Sequence, residues 1–204
     1  MSYTKNHIKI FNTYEWYNKA YKEYKKYHKY LSNFDKNMRK RFLPREIKNQ
    51  TIVDLWCWNW RISDYFLSNW VKEYLCIDIS DNMLKEAKNS LKKIKHDLNK
   101  KFPIKDNYAD VILCLFVLLH IENIDLFFEE IYRILKKDWI FILFHHIERK
   151  NHIYWTWHNK FKIQTYKWNY DYVKKKLEYN FFTIKVVNII EKWIIIWKYF
   201  ICKK

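Results

Sequence analysis

Apolar and polar positions fall into two alternating periods from residue 51 onward. Residues 51–55 (Thr-Ile-Val-Asp-Leu) form a short β-rich run, and residues 73–79 form a second. Between them, residues 61–68 have helical spacing. Residues 81–92 predict another helix, with Ser80 as its N-cap. A weaker strand at residues 93–97 leads into a loop containing Pro103. Residues 110–120 are almost continuously apolar, as expected of a central parallel strand covered on both faces. Residues 124–136 are amphipathic, with Leu126, Phe127, Ile131, Ile134 and Leu135 on one face, and residues 140–144 read as a fifth strand. Strands alternating with helices imply an α/β chain with a doubly wound, mostly parallel sheet.

The two ends of the chain break that pattern. Residues 1–48 are aromatic and basic, and Tyr14, Tyr17, Tyr21, Tyr24, Tyr27 and Tyr30 recur at threes and fours, which predicts a helical stripe. Such a stripe suits a packing face better than a stacking platform for nucleic acid. Residues 35–42 predict a second helix ending before Pro44. With no Pro- or Ser-rich linker after it, this region reads as an N-terminal helical cap on the domain formed by residues 49–204. Residues 145–165 are rich in His and aromatics and irregular, and residues 170–179 are helix-like. Residues 182–190 and 194–201 read as two strands joined by Glu191, Lys192 and Trp193, a C-terminal antiparallel hairpin that closes the sheet.

With 204 residues, 50% of them hydrophobic, the chain has enough material for one domain with a sizeable core. Lys, Asn, Ile, Tyr and Phe are heavily used, while Ala occurs only at Ala20, Ala87 and Ala109, a bias expected of an AT-rich coding sequence. The same bias accounts for much of the net charge of +17, because the lysines are spread along the chain. The charge remains compatible with an RNA partner. Cys57, Cys76, Cys114 and Cys202 are far apart and lack metal-ligand spacing, so they read as buried thiols in a reducing compartment, with no metal site. Residues 1–9 are unlike a signal peptide, and the longest apolar run, 111–119, is too short to span a membrane. A cytoplasmic, soluble protein with no membrane partner follows as the expectation. The pattern sets no oligomeric state.

The composition also has a gap. There is no Gly, against 11 Trp, where average usage of about 7% would give on the order of 14 glycines. Tryptophans stand where glycine belongs: Trp70 just after a helix, Trp139 in the turn before the fifth strand, Trp193 in the hairpin loop, and Trp155, Trp157 and Trp168 in the irregular stretch. Trp16 and Trp197, inside a helix and a strand, have no such account. The pattern implies an alternative genetic code in which a codon read as glycine in the source, UGA, is written here as Trp. UGG codons at Trp56, Trp58 and Trp60 would contradict it.

Those three tryptophans follow the first strand, in Asp54-Leu55-Trp56-Cys57-Trp58-Asn59-Trp60-Arg61. With glycine for tryptophan this becomes D-L-G-C-G-N-G-R. A G-x-G-x-G loop lets the backbone turn sharply and a ligand lie against the main chain. Its spacing differs from the G-x-G-x-x-G of dinucleotide sites. Twenty residues after Trp58, Asp78 ends the second strand, where an acid can take both ribose hydroxyls or serve as an ordinary turn residue.

In this form residues 50–147 resemble the class I S-adenosylmethionine-dependent methyltransferases, specifically a type 11-like domain. The resemblance implies a Rossmann-like fold and S-adenosylmethionine as cofactor. It implies cofactor contacts from Asp54, Trp56, Cys57, Trp58, Asn59 and Trp60. Asp78 would bind ribose, with Ile79 and Met83 near adenine. His96-Asp97-Leu98, ahead of Phe102-Pro103, is similar to the adenine-contacting segment, through Asp97 and Leu98. Tyr108-Ala109-Asp110-Val111-Ile112 resembles the start of the fourth strand, with Leu115 as a lining residue. The run from Arg133 to Trp139 resembles R-x-L-K-x-G-G, with Asp138 replacing the first glycine. The departure is the tryptophans, because indoles at 56, 58 and 60 would fill the volume needed by the methionine part and resist φ > 0.

Methyl transfer needs in-line placement of the acceptor, and a base where the acceptor must lose a proton. His120, His145, His146, His152 and His158 are candidates, His146 and His120 foremost, although a structural role suits each as well. No catalytic residue is assigned. The family analogy implies an acceptor pocket formed by residues 145–168 and the N-terminal cap. The expected activity is methyl transfer to an unidentified small-molecule acceptor. A tRNA-modifying methyltransferase is the alternative, and a non-catalytic basic RNA-binding module keeping the fold is a reading from another class.

Overall fold

The computed structural model describes residues 9–11, 14–15, 17–18, 47–57, 62–146, 153–155, 160–163, 165–166, 168–181, 183–191 and 194–204. In chain order the elements are strand β1 (Lys9–Phe11), β2 (Thr51–Leu55), helix α1 (Ser63–Ser68), β3 (Glu73–Asp78), α2 (Asp81–Glu86), β4 (Lys92–Lys95) and β5 (Ala109–Leu115). A single 3-10 turn (Leu118–His120) precedes α3 (Ile124–Ile134), β6 (Leu135–His146), β7 (Ile153–Trp155), β8 (Lys160–Ile163), α4 (Tyr170–Asn180), β9 (Thr183–Glu191) and β10 (Ile194–Lys203). The main sheet runs β4-β3-β2-β5-β6-β10-β9. Its first five strands are parallel, and β10 and β9 add an antiparallel hairpin at one edge. Strands β1, β8 and β7 form a separate small sheet.

The central strands are apolar at both parities, so the sheet buries both faces. Val53, Leu55, Leu75, Ile77, Ile112, Phe141 and Leu143 point to one side, where Phe127, Phe128, Ile131 and Ile134 of α3 and Val173 and Leu177 of α4 cover them. Ile52, Tyr74, Cys76, Val111, Leu113, Ile142 and Phe144 point to the other side and meet Phe66 of α1 and Leu84 of α2. This is the doubly wound arrangement that the alternation predicts. Among the described residues, no helix is long and apolar enough to cross a membrane.

Several expected boundaries move. Helix α2 ends at Glu86 rather than 92, because Ala87 leaves the helical region (ψ 147°) and Lys92 pairs with Leu75 as part of β4. The strand expected over 110–120 stops at Leu115, because Phe116 takes φ 67° and turns the chain into the 3-10 segment. Helix α3 ends at Ile134, and Leu135 already pairs with Ala109. Phe128 is part of the buried face of α3, whereas Leu126 is only half-buried. Residues 145–165, expected to be irregular, contain β7 and β8, so Trp155 lies in a strand. Trp139 likewise lies in β6, not in the turn before it. Glu191 pairs with Ile194, so two residues connect the hairpin rather than three.

The expectation of four free thiols is also corrected. Cys57 and Cys76 are disulfide-linked, with their Cα atoms 5.1 Å apart, while Cys114 and Cys202 remain buried thiols. The parallel pairing of β2 with β3 places Asp54 opposite Cys76, which brings the residue just past β2 within reach of it. Burial raises the pKa of both remaining thiols. Trp16, Tyr21, Tyr24, Tyr27, Tyr30, the helix expected over 35–42, Trp157 and Trp193 lie outside the described residues.

Candidate functional site

In the sheet order, β2 has β3 on one side and β5 on the other. The chain runs outward from β2 through β3 to β4, then crosses back to β5. At such a switch point the loops after neighbouring strands diverge and leave a crevice at the carboxyl ends. Here the crevice is an open cleft of about 320 Å³, lined by Trp56, Asp78, Ile79, His96, Asp97, Leu98, Asn99, His120 and Ile121.

Asp78, the last residue of β3, is 1% exposed. Its Oδ1 accepts from the Ser80 backbone N–H at 2.8 Å, whereas Oδ2 is buried and has no partner among the described residues. Burial pushes its pKa up to about 7; the Asp54 charge adds to the rise, and the Ser80 and Ile79 amides oppose it. Ser80 caps α2 by accepting from Met83 N at 3.3 Å, and its hydroxyl donates to Asn18 Oδ1 at 2.8 Å. Asn82 Nδ2 also donates to the Asn18 carbonyl, at 2.9 Å. The N-terminal residues 17 and 18, which are helical, are thus seated beside the acid.

The far wall is a turn held by its own side chains. Asp97 Oδ1 accepts from Asn99 N at 3.0 Å. Asn99 then bridges two loops, donating from Nδ2 to the His120 carbonyl at 3.2 Å and accepting from Glu122 N at 2.6 Å. Behind the turn, Arg133 donates to the carbonyls of Phe102 and Ile104 and pairs with Glu130 and Asp106. The guanidinium holds the Glu130 carboxyl below its ordinary range.

The other end is aromatic. Trp56 has φ 81°, and its N–H donates to the Ile77 carbonyl at 2.7 Å. Its ring stacks on His120 (centroids 4.6 Å apart, planes 19° apart) and meets Tyr17 edge-on at 4.4 Å. The Tyr17 hydroxyl and His120 Nε2 are 3.0 Å apart and both residues are buried. Tyr166 N donates to the Leu119 carbonyl at 2.7 Å and Trp168 Nε1 to that of Ile121 at 2.9 Å, so Tyr166 and Trp168 strap this end.

Of the residues expected to bind the cofactor, Trp56, Asp78, Ile79, Asp97 and Leu98 line one cleft. Asp54 does not reach it; the carboxylate is buried and accepts from the Tyr74 hydroxyl at 2.7 Å. Cys57 is tied to Cys76, Met83 is packed within α2, and Leu115 belongs to the core on the α1–α2 side. Trp58, Asn59 and Trp60 lie outside the described residues. Among the described candidate bases, His120 lines the cleft. His145 is buried with Nε2 3.0 Å from the Trp168 carbonyl, and His146 pairs with Trp197 across β6 and β10. His152 and His158 lie outside the described residues. Sequence reasoning missed Asn99 and Ile121 and gave Tyr17 no site role. Asn99 could have been found from the Asp-x-Asn spacing of a side-chain-closed turn, whereas nothing local marks Tyr17.

The two ends would suit a nucleoside derivative differently. A buried carboxylate with a spare oxygen fits paired ribose hydroxyls. The indole of Trp56 fits less well, because a large ring lines the cleft where a close approach of ligand to main chain would need none. Among the described residues, no group of three or more His, Cys, Asp or Glu is gathered to hold a metal ion.

Comparison with known proteins bears on this geometry. Residues 54–143 match the family described as "methyltransferase domain". Among the curated proteins no relative matches at the level of sequence. Among solved structures, a methyltransferase from Thermotoga maritima described as a possible histamine N-methyltransferase aligns with a TM-score of 0.70 at 15% identity, covering 93% of this chain and 98% of its own. S-adenosylmethionine-dependent methyltransferases from Mesorhizobium loti (TM-score 0.66, 13% identity, 84% and 96% covered) and Archaeoglobus fulgidus (0.65, 14%, 89% and 99%) share the same fold.

Proposed function

We propose that this chain is a class I S-adenosylmethionine-dependent methyltransferase that passes the cofactor's methyl group to a small-molecule acceptor, with Asp78 taking the cofactor's ribose hydroxyls and Asp97 and Leu98 bordering its adenine. One observation carries the reading: the Asp78 carboxylate, 1% exposed at the sheet's switch point, with Oδ2 unpartnered among the described residues. A buried acceptor without a donor is costly, and two vicinal hydroxyls supply what it lacks. When bound, S-adenosylmethionine supplies an electrophilic methyl on a sulfonium.

The chain's own contribution is placement and exclusion of water. The Asn99 bridge holds the two loops of the cleft at a set separation. His120, with Nε2 3.0 Å from the Tyr17 hydroxyl, is the titratable side chain positioned to orient an acceptor at the aromatic end. An end roofed by Tyr17 and strapped by Tyr166 and Trp168 suits an acceptor of metabolite size better than a base within folded RNA.

The test uses protein purified from its own cells, methyl-tritiated S-adenosylmethionine, and two acceptor pools, a small-metabolite extract and total tRNA. Label entering the extract is the expected result. Label entering tRNA alone replaces the small molecule with RNA, and binding of S-adenosylhomocysteine without any transfer leaves a binding module.

A further inference from the structure

Two described tryptophans adopt a backbone that their side chain disfavours. Trp56 has φ 81° and Trp70 has φ 56°. In this region a Cβ crowds the following carbonyl, a conflict worth roughly tenfold in a folding equilibrium, whereas glycine enters freely. Asn49, Asn107 and Asp138 share positive φ and belong to the residue types that tolerate it, whereas Phe116, at φ 67°, is a third aromatic there, so backbone angle marks positions 56 and 70 only together with the missing glycines. Trp70 is the first residue beyond the C-cap of α1, where a left-handed glycine commonly ends a helix. Its N–H donates to the Leu67 carbonyl and its own carbonyl accepts from Asn49 N, so the turn is hydrogen-bonded on both sides. Its ring is 77% exposed, and burial does not offset the backbone conflict.

At position 56 a second observation coincides with the first. The ring lines the cleft that Asp78 borders, stacked on His120 and edge-on to Tyr17. The side chain that strains the turn is therefore also a wall of the cleft. The composition, with no Gly and 11 Trp, places both positions under one rule, a single codon read as glycine.

We infer that residues 56 and 70 are glycine in the functional protein, and that the indole written at position 56 occupies the volume of the bound cofactor. The second half rests on the S-adenosylmethionine reading of the cleft. The first half rests on backbone dihedrals and composition alone. Glycine at 56 frees the face of His120 and the edge of Tyr17, so the open volume runs from Asp78 to that pair. The inference is confined to these two positions. Trp139 and Trp168 are not among the residues with positive φ, so neither backbone requires glycine.

Three measurements test it. Peptide sequencing by mass spectrometry of protein from its own cells should read glycine at 56 and 70, and tryptophan at both overturns the inference. In recombinant protein, urea denaturation compares W70G with W70A and W56G with W56A. Glycine should exceed alanine by roughly tenfold in folding equilibrium at each site, where an ordinary loop position would favour alanine; alanine equal to glycine at both overturns the backbone argument. If the position-56 variants fail to fold, the position-70 pair and the peptide masses still decide.

Calorimetry with S-adenosylhomocysteine then compares Trp and Gly at position 56 in a W58G/W60G background. Glycine should bind at least about a hundredfold more tightly, as expected when an occupied site is cleared of a large side chain. W70G should leave affinity unchanged. Equal binding by the two forms overturns the occlusion. A W56G form that keeps its stability advantage over W56A yet binds no S-adenosylhomocysteine overturns the cofactor reading while the glycine assignment stands.

Discussion

The two ends of the cleft grow from the same parallel strands but are assembled in different ways. At the Asp78 end the acid, the helix N-cap two residues later and the turn closed by Asp97 and Asn99 are each held by local hydrogen bonds, with Asn18 joining Ser80 from 62 residues away. At the Trp56 end the parts come from distant segments, with Tyr17 and His120 separated by 103 residues and Trp168 reaching Ile121 from 47 residues away. Groups that are local in sequence can be poised before any ligand arrives, because short-range hydrogen bonds hold them. Groups gathered from a distance depend on everything between them, and here one misfit side chain at position 56 changes the whole end.

The largest expected effect that separates the ends concerns stability at Asp78. Its folded pKa of about 7 lies above the ordinary 3.8, so between those values the folded state holds a proton that the unfolded state has lost. Stability therefore falls as pH rises through this window, and the penalty is complete above about pH 7. Asp78→Asn should stabilise the protein by up to about 4 kcal/mol at pH 8 and by almost nothing at pH 3, read from urea denaturation at the two pH values. An equal effect at both would mean that burial of the charge is not what sets this end.

The same substitution should weaken S-adenosylhomocysteine binding by the W56G form about a hundredfold, because two hydrogen bonds to a carboxylate are lost. For the intact acid, affinity should rise as pH passes about 7, since ribose hydroxyls favour the charged carboxylate. An affinity flat from pH 6 to 8 would remove Asp78 from the ribose.

Smaller effects probe the connection between the ends. Asn99→Ala removes the bridge to His120 and Glu122 and should cost about 1–2 kcal/mol, with faster hydrogen exchange at residues 120–122. Unchanged exchange there would show that the ends are held separately. Tyr17→Phe should cost about 1 kcal/mol through the lost hydroxyl contact with His120, and thermal denaturation would detect it. A loss as large as that from Asn99→Ala would mean that the aromatic end depends on this contact more than its geometry indicates.

What could be read in advance follows the same division. The layered sheet was legible because Ile52 and Val53, or Ile142 and Leu143, alternate between faces at a fixed period that any local window contains. Asp78, Asp97 and Leu98 stand at strand ends and in a turn whose residue types are themselves the signal. Element ends were less legible: α2 stops at Glu86 where the periodicity alone would continue, because the following residues are taken up by the pairing of β4 with β3. The Cys57–Cys76 link had no sequence signal, since 19 residues separate two cysteines that only parallel strand pairing makes neighbours.

By itself, the sequence determined the alternation of layers, the hairpin that closes the sheet, and the place of the acid at the end of β3. These rest on side-chain parity and on capping, which act over a few residues. Only the tertiary structure decided that Tyr17 meets His120, that Asp54 turns to Tyr74 rather than to the cleft, and that the backbone at 56 and 70 is left-handed. Those outcomes depend on strand order and on dihedral angles imposed by neighbours far along the chain. No residue type encodes them alone, and so a tryptophan that looked out of place in the sequence became, in the folded chain, a wall of the cleft stacked on His120.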